Sequence, residues 1–317
     1  MTRRQALRGA RWVFVLLTLA CAWWGFRGRW AEIGDAVAAT GPARSAGAVV
    51  CAGAGLALTG VLWRRLLRGV GSEVAARDAA AVFFVGQLGK YVPGSVWSLA
   101  VQAQLGRRHG VPARSSVTAS AVFLLVHTAT GLLLGGLLVG GSLLLDGPAG
   151  DRVGEDLATA WPACAVVVGA VALAPPLLRR LAERLAGHAV VLGARELVPA
   201  VALMVAVWTL YGASTLLLVP GASAATPSLV GAVAAFALAH AVGVLVVFAP
   251  AGVGAREGVL VALLAPAVGV PAAAAVALLS RVAHAAADFS LAGAAALVGR
   301  TDTRSADPRE PARAGGR

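Results

Sequence analysis

Long apolar runs recur along the chain at 12–26, 43–63, 79–104, 115–145, 160–178, 197–219, 228–248, 249–268 and 272–299. A helix needs about 20 apolar residues to cross a bilayer, so the pattern predicts an all-α, polytopic transmembrane helical bundle with seven or eight crossings. Two runs are interrupted, the first at Lys90, Pro93 and Gly94, the second by the Pro- and Gly-rich stretch around Pro250, Gly252 and Gly254. Each is predicted as a broken or re-entrant helical hairpin. Residues 1–299 are read as one integral membrane domain, with 12–26 an uncleaved first helix. Residues 300–317 carry too little apolar surface to fold and are predicted to be a disordered cytoplasmic tail.

Charge places the loops. The 317-residue chain is 58% hydrophobic and 13% charged, against roughly a quarter charged in a soluble domain. Its net charge of +12 sits mostly in short arginine-rich stretches at the N-terminus and at 64–78, 105–114 and 179–196. The segment 146–159 instead carries Asp146, Asp151, Glu155 and Asp156 against Arg152. Basic loops stay cytoplasmic, so the acidic loop is expected outside and the N-terminus inside, in what composition suggests is a bacterial inner membrane. Arginines spent on topology leave no basic face for nucleic acid. Of the 27 basic residues only Lys90 is lysine, a bias that reflects GC-rich coding and not chemistry. Cys21, Cys51 and Cys164 are scattered in apolar runs with no CxxC pair, which supports neither a disulfide framework nor a zinc site.

Once loops and termini are set aside, Lys90, Arg256, Glu257, Arg281 and Asp288 remain inside predicted spans. A charge at the bilayer centre costs on the order of 2.5–3.5 kcal/mol even on the lenient insertion scale, so it normally faces a cavity or a partner. The two breaks also share a plan: Pro and Gly, a short helix, the triplet GVP at 110–112 and 269–271, then a long helix. A two-residue insertion brings Pro93 and Pro250 into register with the triplets. Matching breaks in two halves point to an internal repeat with a substrate site between the repeats. Unwound backbone at membrane depth must line protein or water, and helix N-termini there attract anions. The candidate substrate-binding residues are therefore Lys90, Pro93 and Gly94 at the first break, Gly252, Gly254, Arg256 and Glu257 at the second, and Arg281, His284 and Asp288 on one face of the last helix. Glu257 is expected to pair with Arg256 or Arg281 when the site is empty. His127, His240 and His284 fall inside spans, as proton-relay candidates or as packing residues.

GKYVPGSVW, QLGRRHGVP, PAGVGAREG and the SRV of the last helix, in this order and spacing, resemble the lysylphosphatidylglycerol synthetase transmembrane-domain family of flippase-like integral membrane proteins. The resemblance spans most of residues 10–299 and implies a membrane domain that moves a lipid headgroup across the bilayer. It assigns Lys90, Pro93, Gly94, Gly252, Gly254, Arg256, Glu257 and Arg281 to that site. No aminoacyl-transferase domain follows residue 299, so lipid lysylation is not expected; PGS at the first break and Trp97 depart from the pattern and leave the headgroup open.

The sequence thus predicts a flippase or transporter for an anionic phospholipid or a polyprenyl-phosphate-linked lipid, not an enzyme, with no cofactor and no metal. Lys90→Ala and Arg256→Ala are each expected to abolish transport without loss of folded protein. The alternatives are a non-transporting membrane partner of an envelope glycosyltransferase or synthetase, and a membrane enzyme acting on a lipid-linked sugar with Glu257 or His284 as general base. GVGAREG lacks the third glycine of a dinucleotide loop, and GQLGKY lacks the spacing of a P-loop. Gly131, Gly135, Gly136 and Gly140 stand at small-xxx-small spacing, which predicts close helix packing. Trp63 and Trp161, near span ends, are expected in an interfacial belt.

Overall fold

The computed structural model describes residues 30–91, 97–145, 156–221, 226–246 and 252–305. The expected first helix at 12–26, Pro93, Gly94, Pro250, most of the acidic loop and residues 306–317 lie outside them. The described residues form eleven α-helices and no strand. In chain order these are α1 (Trp30–Thr40), α2 (Pro42–Gly69), α3 (Ala76–Gln87), α4 (Trp97–Arg108), α5 (Ala113–Leu145), α6 (Asp156–Ala172), α7 (Pro175–Ala186), α8 (Ala194–Leu217), α9 (Leu229–Leu245), α10 (Ala255–Val268) and α11 (Val270–Ser305).

Four helices, α2, α5, α8 and α11, are long and apolar enough to cross a membrane. At 28 residues, α2 extends about 42 Å, ample for a core of about 30 Å. The expected span at 160–178 is divided: α6 stops at Ala172 and α7 leaves at 55°, a fifth span only if the pair is counted as one. The cause is Pro175, which drives Ala174 out of the helical region (φ −58°, ψ 122°). The following arginines, expected in a loop, belong to the amphipathic α7, which buries Leu178, Ala182 and Ala186 and leaves Arg179 and Arg180 outside. α1 was not expected either, being short and acidic; it lies on α11 through Ile33, Ala274 and Ala275.

α9 is apolar on all sides and buried along most of its length, packed against α5, α8 and α10. α2 packs on α8 and α11, and α5 on α6. Sparse polar contacts tie these apolar helices: Trp208 Nε1 donates to Thr130 Oγ1 (3.1 Å) and Ser214 Oγ to the Ala48 carbonyl (2.8 Å). Trp161 is exposed, whereas Trp63, expected in the same belt, is fully buried and donates Nε1 to Ser120 Oγ (2.9 Å).

The glycines of α5 mark close approach. A Cβ on Gly135 would strike Leu238 of α9, and one on Gly136 would lie 2.8 Å from the Pro162 carbonyl of α6. Backbone cannot yield as a side chain can, so Gly136→Val is expected to cost about 1–3 kcal/mol by overpacking. At Gly141 a Cβ meets nothing within 4 Å, and Gly141→Ala is expected to be neutral or slightly stabilising. Melting temperatures of the two purified variants in detergent check the contrast; equal behaviour would remove the packing role.

Candidate functional site

α3 does not end cleanly. It tightens into a 3-10 turn at Leu88–Tyr91, which carries Lys90 and Tyr91 toward α11. Lys90 Nζ lies 2.6 Å from Asp288 Oδ2, and Tyr91 Oη donates to the same oxygen at 2.6 Å. Asp288 is 3% exposed and Lys90 34%. The ring of Tyr91 stacks on Phe289, 5.5 Å between centroids.

The second break brings charge to the same helix. Gly254 takes φ 86° and Gly252 φ 70°, a left-handed region open to glycine at little cost. A Cβ on Gly252 would also collide with the Gly243 backbone of α9, so this glycine lets the start of α10 close on α9. In the first turn of α10, Glu257 Oε2 accepts from Gly254 N (2.7 Å) and Oε1 from Arg281 Nε (2.7 Å). A carboxylate at a helix N-terminus answers both the free amides and the dipole. Of the two expected partners, Glu257 therefore takes Arg281. Arg256 turns the other way: Nη2 donates to Ser280 Oγ (3.0 Å) and the guanidinium lies 4.7 Å from the centroid of Phe236. No carboxylate lies within ion-pair distance of Arg256 among the described residues.

Arg281, His284 and Asp288 occupy one face of α11, as their i, i+3, i+7 spacing requires, and that face borders a cavity of about 210 Å³. A single ordered water needs only ~10–15 Å³. Lys90, Gly252, Arg256, Arg281, His284 and Asp288 line it; Gly254 and Glu257 do not, and act on it through Arg281 and the start of α10. Counting Lys90, Arg256 and Arg281 against Glu257 and Asp288, the site carries one surplus positive charge.

His284 donates from Nδ1 to the Ser280 carbonyl (2.8 Å) and stacks on Phe236, 4.9 Å between ring centroids. His127 and His240 approach within 4.9 Å of each other and also line the cavity. Both Nδ1 atoms, and His284 Nε2, are buried without a hydrogen-bond partner among the described residues. Sequence reasoning missed Tyr91, Tyr211 and Gln102, which share the cavity wall. Scarcity was the available signal for the tyrosines, since these are the chain's two; nothing local distinguished Gln102.

A family model for the lysylphosphatidylglycerol synthase TM region matches residues 11–291. The chain belongs to this family. The matched region contains both breaks and the charged face of α11, and membership makes the chain a multi-pass membrane protein of lipid and envelope metabolism. No curated protein matches it.

Proposed function

We propose that the protein is a flippase or transporter that moves an anionic lipid headgroup, on a phospholipid or a polyprenyl phosphate, across the bacterial inner membrane without catalysing a chemical reaction. One observation carries this: a cavity among apolar helices holds Arg256, whose guanidinium forms no ion pair with a carboxylate among the described residues. A cation at such depth is costly unless a ligand or water meets it, and a guanidinium matches a phosphate through two parallel hydrogen bonds.

The repeat and the crossings belong to the same proposal. A 12-residue α4, Gly110 (φ 75°) and a 33-residue α5 parallel a 14-residue α10, Gly269 (φ 82°) and a 36-residue α11. α3 packs back on α4 and α9 on α10. At about 18 Å each, α3 and α4 are too short to cross singly, which favours a re-entrant hairpin at the first break; the reading of seven or eight crossings counts α9 as a span and lets the second break either cross or return. Val70, Ala182, Val190 and Leu192 share one cluster, which gathers the arginine-rich end of α2, α7 and the approach to α8. That basic end is the cytoplasmic one in this reading, with the N-terminus on the same side.

The test is reconstitution of the purified chain into sealed vesicles containing fluorescent phosphatidylglycerol, polyprenyl-phosphate and phosphatidylcholine probes, with headgroup exposure read by an impermeant quencher. Exposure of the protected anionic probes, faster than that of phosphatidylcholine, is expected. Folded protein that moves none of them overturns the proposal and returns weight to a non-transporting partner of an envelope glycosyltransferase or synthetase.

A further inference from the structure

The cavity has two chemically different walls. Charge comes from the 3-10 turn, α10 and α11. α3, α4, α5 and α9 supply Gln87, Ser98, Gln102, Ser120, His127 and His240 to the same cavity, among which there is no carboxylate and no lysine or arginine. A surface that only admitted phosphate would have no use for so many neutral donors and acceptors, and a buried polar group without a partner is costly.

These groups are held in position. Trp63 Nε1 donates to Ser120 Oγ (2.9 Å), and the Ser120 hydroxyl meets Gln102 Oε1. Gln102 is 3% exposed, its carbonyl oxygen is engaged, and its amide nitrogen has no partner among the described residues. His127 and His240 line the cavity with their rings, while their Nδ1 atoms are buried away from it. Phe123 and Tyr211 add apolar ring surface to the lining. Neutral polar side chains beside aromatic rings on one cavity suit a ligand with several hydroxyls and an apolar C–H face. Glycerol offers two hydroxyls and would leave most of this wall unmet, whereas a hexose offers four or so around a ring.

We propose that the uncharged wall is a sugar subsite and that the headgroup carried is a glycosyl phosphate: phosphate against Arg256 and Lys90, hexose hydroxyls against Gln102, His127 and His240. This rests on the anionic-headgroup reading above and names its substrate class.

Affinities of the full chain in detergent for inorganic phosphate, glycerol 1-phosphate and a panel of glucose, galactose and mannose 1-phosphates test it by calorimetry. At least one hexose phosphate is expected to bind ~10-fold or more tighter than inorganic phosphate, the factor that two net hydrogen bonds supply, with glycerol phosphate between. Gln102→Leu and His127→Phe should each bring that ratio to within about threefold of one. His127→Phe preserves a ring among Phe123, Trp208 and His240, so it remains informative if Gln102→Leu does not fold. Arg256→Ala should weaken every ligand and keep the ratio. Phosphate binding with no hexose preference, or a preference for glycerol phosphate over every hexose phosphate, overturns the sugar subsite and leaves the flippase reading standing. Folded wild-type protein that binds no phosphate compound overturns both.

Discussion

Arg256→Ala is expected to slow translocation of anionic headgroups at least ~10-fold while the protein remains folded. The magnitude follows from the loss of charge-assisted hydrogen bonds to phosphate, about 1.5–3 kcal/mol, at about 1.4 kcal/mol per factor of ten. The tolerance of the fold follows from the partners of Arg256. Its guanidinium meets Ser280 Oγ and the face of Phe236, and its removal strands no carboxylate. Ser280 loses one hydrogen bond, and the helix keeps alanine, its best former. Arg256→Lys keeps the charge and loses the planar fork, so it should fall between the two. Quencher time courses on vesicles of matched protein content measure all three rates. Translocation by Arg256→Ala at the wild-type rate would show that the Arg256 guanidinium is not where the headgroup binds.

A second large effect is expected on stability, and it is asymmetric. Among the described residues Lys90→Met leaves Asp288, 3% exposed, with the Tyr91 hydroxyl alone, and breaking a buried pair from the side that strands a charge costs about 3–5 kcal/mol. Asp288→Asn leaves Lys90, which at 34% exposure can turn its ammonium toward cavity water, so its cost should stay below about 1 kcal/mol. Lys90→Met combined with Asp288→Asn should recover most of the loss, because no unpaired charge remains. Melting temperatures of the three variants decide it: a larger loss for Asp288→Asn, or no recovery in the double variant, would mean that the ion pair does not hold the 3-10 turn to α11. The same contact revises the expectation that Lys90 and Arg256 are equivalent headgroup cations removable without harm to the fold. Arg256 is expected to be separable from folding; Lys90 is tied to Asp288, and transport lost in Lys90→Ala would mix two causes.

Much of the bundle was legible from hydropathy. The apolar runs at 43–63, 115–145, 197–219 and 272–299 became α2, α5, α8 and α11, the four helices long and apolar enough to cross. The bilayer imposes this legibility, since backbone in hydrocarbon must be helical and its side chains apolar. Where water or protein replaces lipid the rule weakens. The arginines of α7 hid an amphipathic helix, the acids of α1 hid a short one, and Pro175 divided a run that was apolar throughout. Trp63 was misplaced for a related reason: interface and interior are equally good hosts for an indole, and only its hydrogen bond to Ser120 separates them.

The charged residues were found because the membrane makes each of them expensive, and five in a long apolar background need no tertiary structure to be noticed. Spacing also put Arg281, His284 and Asp288 on one helix face. Pairing is another matter, because it joins residues far apart in sequence. That Glu257 takes Arg281, that Lys90 takes Asp288 and that Arg256 is left without an ion pair among the described residues were decided by how α10 and the 3-10 turn pack on α11. The neutral wall was decided the same way. A glutamine, a serine and a histidine cost too little in an apolar helix to stand out alone, and they became a surface when packing turned Gln102, Ser120 and His127 toward one cavity.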